Sequence, residues 1–245
     1  MSDPRVAVIT PYYREPVEFL RAAHDSVRRQ TYPTTHFVVA DGAPRDEVRG
    51  WPVEHIVLPR NHGDFGDTPH ALGAISALSL GYDAIAFLDS DNWYLPNHVE
   101  TMVAAQRRSG HPVVLAARSF HRLDGSLMAG LRDEENHADT NCLFLSGEAA
   151  RLVPLLAIKP KAFAEVGDRI FWRALRQRGV PFIRVMIPTV AYRTPYKAHY
   201  QAIGETPPPG AKDTAGAKFR AWMAAASESE KSSWSAYLFG APDRW

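Results

Sequence analysis

The chain has one cysteine, Cys142, in 245 residues, so no disulfide can close within it. A single thiol is compatible with a reducing cytosol, and Cys142 reads as a core residue rather than a nucleophile. No apolar run approaches the roughly 20 residues needed to span a bilayer. Neither sign of charge dominates. The 28 Lys and Arg residues face 27 Asp and Glu, a net charge of +1, which removes the electrostatic footprint of a nucleic-acid binder. The opening Met1-Ser2-Asp3-Pro4 lacks a basic stretch followed by an apolar one, so no secretory leader is expected and the expected location is cytoplasmic. No G-x-G-x-x-G follows any predicted strand, which excludes a dinucleotide-binding dehydrogenase. Internal repeats are also missing. The length suits one large α/β domain with a full core.

What is present begins with Ala84-Ile85-Ala86-Phe87-Leu88-Asp89-Ser90-Asp91-Asn92. An unbroken apolar run of this kind reads as a strand buried on both faces, the usual state in a parallel sheet. Ligands of open α/β sheets bind outside the carboxyl ends of the strands, where Asp89 and Asp91 would lie. Two carboxylates so close repel each other and lose hydration, so they need a cation or strong donors. Hard oxygen ligands suit Mg²⁺ or Mn²⁺ carrying a nucleotide diphosphate. An ordinary solvated turn after a strand is the plainer reading of the same residues.

Strand and helix signals alternate along the first two-thirds. Strands are predicted at 5–10, 37–40, 56–58, 84–88 and 113–116, with helices over 16–30, 70–80 and from Pro96 to about Arg108. Repeated units of this kind predict a mostly parallel sheet covered by helices. Leu123-Asp124-Gly125-Ser126-Leu127 carries a tight-hairpin signal that breaks the alternation. A strand follows at 141–145, then a helix over 148–156 that is interrupted or ended near Pro154. Ile170, Phe171, Ala174 and Leu175 give one apolar face to a helix over 168–178. Residues 181–190 read as an edge-like strand. Thr206-Pro207-Pro208-Pro209-Gly210 is the clearest linker. The division expected is a domain over 1–204, then a Pro-rich linker and a C-terminal aromatic segment over 205–245. Phe219, Trp222, Met223 and Ala226 share helical spacing, so this segment is expected to form a short helix docked on the domain. The alternatives are a subunit interface, and hence a homo-oligomer, or a membrane-surface contact, against which the acidic Glu228 and Glu230 argue.

Six pieces stand in a familiar order. They are Val6-Ala7-Val8-Ile9-Thr10-Pro11-Tyr12-Tyr13, Val27-Arg28-Arg29-Gln30-Thr31-Tyr32-Pro33, Val38-Val39-Ala40-Asp41-Gly42, Arg60-Asn61-His62-Gly63, Asp89-Ser90-Asp91 and Val166-Gly167-Asp168-Arg169-Ile170-Phe171-Trp172. Together they resemble the family 2 glycosyltransferases of the GT-A fold over roughly residues 5–200. The resemblance implies a single α/β domain with a mostly parallel central sheet. It also implies a nucleotide-diphospho-sugar donor, a UDP-sugar as first choice, and an acceptor hydroxyl that the sequence does not identify.

By the same resemblance Thr10, Pro11, Tyr13 and Asp41 hold the nucleoside. Asp89 belongs to ribose and metal, Ser90 lies in the donor site, and Asp91 binds the metal, Mn²⁺ or Mg²⁺. His199 is a candidate third ligand, and Arg193 a candidate diphosphate contact. Asp168 is the expected general base, at a helix N-terminus that favours its ionised form. One base and one metal imply direct displacement with inversion. The Q-x-x-R-W pattern of processive synthases is absent, so transfer of a single sugar is expected.

The chain departs from the family in several places. Gly167 stands where the family writes a glutamate before the base. Ala40 and Ala43 replace polar residues around Asp41. The loop Gly63-Asp64-Phe65-Gly66-Asp67-Thr68-Pro69-His70 takes the place of a segment that commonly ends in arginine, and reads as a shaped ligand wall rather than a helix start. The acceptor is expected against 120–161, including Arg132-Asp133-Glu134-Glu135. Two rival readings keep the fold: a non-catalytic nucleotide-sugar binder, and a sugar nucleotidyltransferase, which would need a glycine-rich loop after the first strand.

Overall fold

The computed structural model describes residues 3–131, 137–213 and 216–245, so Arg132-Asp133-Glu134-Glu135 lies outside the described residues. The strands are β1 (Val6–Tyr12), β2 (Thr34–Asp41), β3 (Glu54–Leu58), β4 (Ala84–Phe87), β5 (Trp93–Tyr94), β6 (Val113–His121), β7 (Leu143–Ser146) and β8 (Phe182–Arg193). The helices are α1 (Val17–Arg28), α2 (Asp67–Ser79), α3 (His98–Ser109), α4 (Gly147–Ala150), α5 (Pro154–Ala157), α6 (Gly167–Gln177), α7 (Lys197–Ala202), α8 (Ala217–Ala225) and α9 (Glu228–Phe239).

All eight strands form one sheet in the order β3-β2-β1-β4-β7-β6-β8-β5. β1 to β4 pair in parallel, as do β6 and β8, while β7 runs antiparallel between β4 and β6. Alternate residues feed two cores. Ala7, Ile9, Ile85 and Phe87 face α2 and α6, whereas Val6, Val8, Ala84, Ala86 and Leu88 face α1 and α3. Burial on both faces is why β4 reads as an unbroken apolar run. Gly73 lets α2 lie close to the sheet, because a Cβ there would stand 2.5 Å from Ile9 Cγ2.

Several boundaries differ from the expectation. α2 starts at Asp67, three residues before His70, with Gly66 as its left-handed N-cap (φ 93°) and Pro69 in the first turn, where its missing N–H costs nothing. The edge-like strand at 181–190 is β8, flanked by β6 on one side and by the two-residue β5 on the other. The 148–156 helix divides into α4 and α5, and Pro154 opens the second piece. The hairpin signal holds: Arg122 N–H donates to Ser126 O at 2.8 Å and His121 bridges Leu127.

The C-terminal segment is two helices rather than one. Phe163 meets Phe219, Trp222 and Trp245 at ring separations of 5.1, 4.8 and 5.6 Å. Leu238 and Phe239 of α9 are fully buried in the core shared with α6. These aromatic residues are thus used within the chain itself.

Candidate active site

At the carboxyl end of β4 the chain leaves the sheet. Leu88 N–H still donates to Ile9 O at 3.0 Å, and Asp89 is the first residue past that bond. Asn141 holds it from two sides: Asp89 N–H donates to Asn141 Oδ1 at 2.6 Å, and Asn141 Nδ2 donates to Asp89 Oδ2 at 2.7 Å. The other oxygen, Oδ1, faces His70 Nε2 at 3.6 Å, and that buried nitrogen has no hydrogen-bond partner. Burial, then the charges of Asp91 and Asp139, push the Asp89 carboxyl well above its usual range. Burial likewise raises Asp91 to about 6, against its own backbone N–H and the Arg193 guanidinium.

Across the cavity, Asp168 lies in the first turn of α6. Its Oδ1 accepts Arg169 N–H at 2.7 Å, and its Oδ2 lies 3.3 Å from His137 Nε2. Burial raises its pKa, with His137 opposing and Asp139 adding to the rise. The helix N-terminus expected to favour the ionised form is therefore outweighed, which makes Asp168 a stronger base than an exposed aspartate.

Gly167 leaves a gap beside Asp168 that another residue fills. A Cβ at 167 would stand 2.3 Å from Asp67 Oδ2, so the carboxylate of α2 occupies the place of a side chain on α6. Asp67 pairs with Lys159 Nζ at 2.7 Å, and both side chains are buried. Burial holds Asp67 up at about 7 despite that partner.

Asp67, His70, Asp89, Asp139, Asp168 and His199 line one cavity of about 750 Å³. Arg118, Phe120, Tyr192 and Tyr196 close its far wall. The loop that departs from the family does start a helix, against the expectation, and its residues Phe65, Asp67 and His70 line the cavity.

The expected nucleoside contacts have other occupations. Thr10 is fully buried, and its hydroxyl lies 2.8 Å from His36 Nε2 in the core. Pro11 and Ser90 are buried as well. Asp41 straps the loop after β3: it accepts Asn61 Nδ2 at 2.9 Å and His62 N–H at 3.0 Å, and lies 2.6 Å from His62 Nδ1. Gly42 makes that strap possible. Its φ is +80°, and a Cβ there would fall 2.3 Å from the Arg60 carbonyl carbon. Tyr13 is half-buried, with Arg14 over its ring at 5.0 Å. Arg193 donates to the backbone oxygen of Asp91 and lies between Phe19 and Trp93, 4.3 and 4.9 Å from their ring centres. None of these residues lines the cavity that holds Asp89 and Asp168, and neither does Asp91.

Asp89 and Asp91 suit a hard divalent cation by donor type, since both offer carboxylate oxygens and the charge of Asp91 raises the proton affinity of Asp89. His199 is engaged elsewhere. Its Nδ1 lies 2.6 Å from Thr194 Oγ1 and its ring packs on Phe120 at 4.8 Å. The group of three ligand atoms that converges among the described residues is a different one, His137, Asp139 and Asp168. Asp139 has little to offer a metal, because it accepts Arg118 Nη1 at 2.6 Å, Asn141 Nδ2 at 2.6 Å and Asn141 N–H at 3.0 Å. Burial alone would raise its pKa, but Arg118 and Asn141 bring it below the usual value.

Sequence reasoning missed His70, Asp67, Lys159, Arg118, Asp139 and Asn141. Only the irregular loop before His70 signalled any of them.

Residues 7–148 match the model of the family described as Glycosyl transferase family 2. The chain belongs to this family. The matched span of this family 2 member runs from β1 past Asn141 and ends before Asp168. Its fold is that of S. aureus TarS: against TarS 1–349 in complex with UDP the TM-score is 0.58 at 12% identity, over 81% of this chain and 63% of that one. Against S. aureus TarS the TM-score is 0.60 at 13% identity, over 80% and 38%. Against the UDP-GlcNAc complex of TarS 1–349 it is 0.53 at 13% identity, over 80% and 64%. The family 2 chain thus spans less than two-thirds of the length of these structures. No curated protein matches the sequence.

Proposed function

We propose that this family 2 chain moves one sugar from a nucleotide-diphospho-sugar to an acceptor hydroxyl, with inversion and with a divalent cation, Mn²⁺ or Mg²⁺. The observation that carries the reading is the meeting of Asp89 and Asp168, distant in the sequence, in one cavity. Asp89 sits at the carboxyl end of β4, where a donor of this fold would lie. Asp168 faces the same space with a raised proton affinity, as a base for an acceptor hydroxyl requires.

In this reading Asp89 and Asp91 hold the cation, which when bound offsets charge growing on the departing diphosphate. The Asn141 side chain accepts the Asp89 backbone N–H and donates to the Asp89 carboxylate, so that group needs no reorganisation. Asp168 takes the proton from the acceptor hydroxyl as that oxygen attacks the anomeric carbon from the side opposite the diphosphate. His137 orients Asp168 from 3.3 Å. The rings of Phe120, Tyr192 and Tyr196 give the acceptor an apolar wall. The UDP and UDP-GlcNAc complexes of TarS favour UDP as the donor's nucleotide.

Calorimetric titration with UDP, GDP and dTDP, in Mn²⁺ and in EDTA, tests this. UDP is expected to bind in Mn²⁺, to weaken at least about tenfold in EDTA, and to weaken similarly in Asp91→Ala. A folded chain that binds no nucleotide would refute the reading.

A further inference from the structure

A second cavity, of about 910 Å³, opens beside the first and shares His137 and Arg169 with it. Its wall is α6. Arg169, Arg173 and Arg176 recur along one face of that helix, and Arg244 of the C-terminal tail joins them. A merely solvated helix face mixes its signs. Here the one acid of α6, Asp168, belongs to the other cavity.

Among the described residues none of the four guanidinium groups has a carboxylate within ion-pair distance. Arg173, Arg176 and Arg244 have weaker contacts. Arg173 Nη2 donates to Arg244 O at 2.7 Å, and the group lies 5.3 Å from the Phe239 ring centre. Arg176 lies 6.0 Å from the Trp172 ring centre. Arg244 Nη1 donates to Gln177 O at 3.2 Å. Each guanidinium has five N–H donors, so these bonds leave most of them for a ligand. Four like charges around one cavity repel each other, and an anion would remove that cost.

We propose that the acceptor carries a phosphate group, held by Arg169, Arg173, Arg176 and Arg244 while its hydroxyl reaches Asp168. The assignment rests on the first cavity being the transfer site. Arginine forks match phosphate oxygens in pairs, and a phosphate offers more acceptor oxygens than a carboxylate to so many forks. The shared residues, His137 and Arg169, place the anion on the Asp168 side, so one molecule can fill both cavities. The phosphate belongs to either a soluble phosphorylated acceptor or a lipid-borne one.

The test titrates the whole chain with sn-glycerol 3-phosphate, with glycerol as the uncharged control, and with UDP in Mn²⁺. Glycerol 3-phosphate is expected to bind, more weakly as salt rises, and glycerol is not. The exposed pair Arg176→Ala/Arg244→Ala is expected to lose at least about tenfold in affinity for glycerol 3-phosphate while UDP binding stays unchanged. Lysine at both positions should recover part of the loss. Co-sedimentation with phosphatidic acid vesicles, lost in the alanine pair, would make the source a lipid; glycerol 3-phosphate binding without co-sedimentation would make it soluble. UDP binding with no glycerol 3-phosphate binding, or equal binding by the alanine pair, overturns this proposal alone. Glycerol 3-phosphate binding with no UDP binding overturns the transferase reading, and the acceptor assignment with it.

Discussion

Lys159 and Asp67 stand 2.7 Å apart with side-chain exposures of only 4% and 8%. Neither charge is solvated, so each depends on the other. Removing one partner of such a pair costs about 3–5 kcal/mol, because the remaining charge is left buried alone. Asp67→Ala is therefore expected to lower stability in urea denaturation by that amount, and Asp67→Ala/Lys159→Met to recover most of it. A double variant no more stable than the single one would contradict this account of the pair. This arrangement was not legible in the sequence. Gly167 showed only that an expected side chain is missing, and the acid that fills its place comes from another helix. Asp89 and Asp168 were legible because each follows a local pattern, an apolar strand end and a helix start. Asp41 kept its place at the end of β2, but Asn61 and His62 take up its oxygens.

Elements lock together partly through buried neutral histidines. His98 opens α3, its Nδ1 lies 2.8 Å from Thr189 Oγ1 of β8, and its ring stacks on Tyr94 of β5 at 3.7 Å. Burial lowers its pKa to about 3. Its unfolded value is about 6.5, so its contribution to stability is complete above that pH. The contribution is lost as pH falls from about 6.5 toward 3, at up to about 1.4 kcal/mol per unit. The stability gap between wild type and His98→Phe should therefore narrow as denaturation is repeated from pH 7 to pH 5, and a constant gap would contradict the assignment. Most elements could be read from apolar spacing, β4 above all. The start of α2 could not, because a left-handed glycine and a proline disguise its first turn. α9 was missed too, though Ser227 and Glu230 form a capping box whose spacing is visible in the sequence.

At the scale of the molecule, the sheet divides the chemistry. Its parallel half, β1 to β4, ends in Asp89 and Asp91, and the segment after β7 brings Asp168 to the cavity that Asp89 lines. The C-terminal segment braces that second half by packing Trp222 of α8 and Trp245 of the tail on Phe163, just before α6. Sequence pieces in family order were enough to place the fold and these acids. They could not reveal the second cavity, which needs α6 and the tail to be adjacent. The central claim, that Asp168 is the base acting on a donor held at Asp89 and Asp91, is tested most directly by hydrolysis of UDP-sugars with water as the acceptor. Asp168→Asn should bind UDP in Mn²⁺ as wild type does, yet release sugar about 10²–10⁴-fold more slowly. The sugar first released by wild type should have the opposite anomeric configuration to the donor. An Asp168→Asn chain that hydrolyses donor at the wild-type rate, or a retained configuration, would contradict the account.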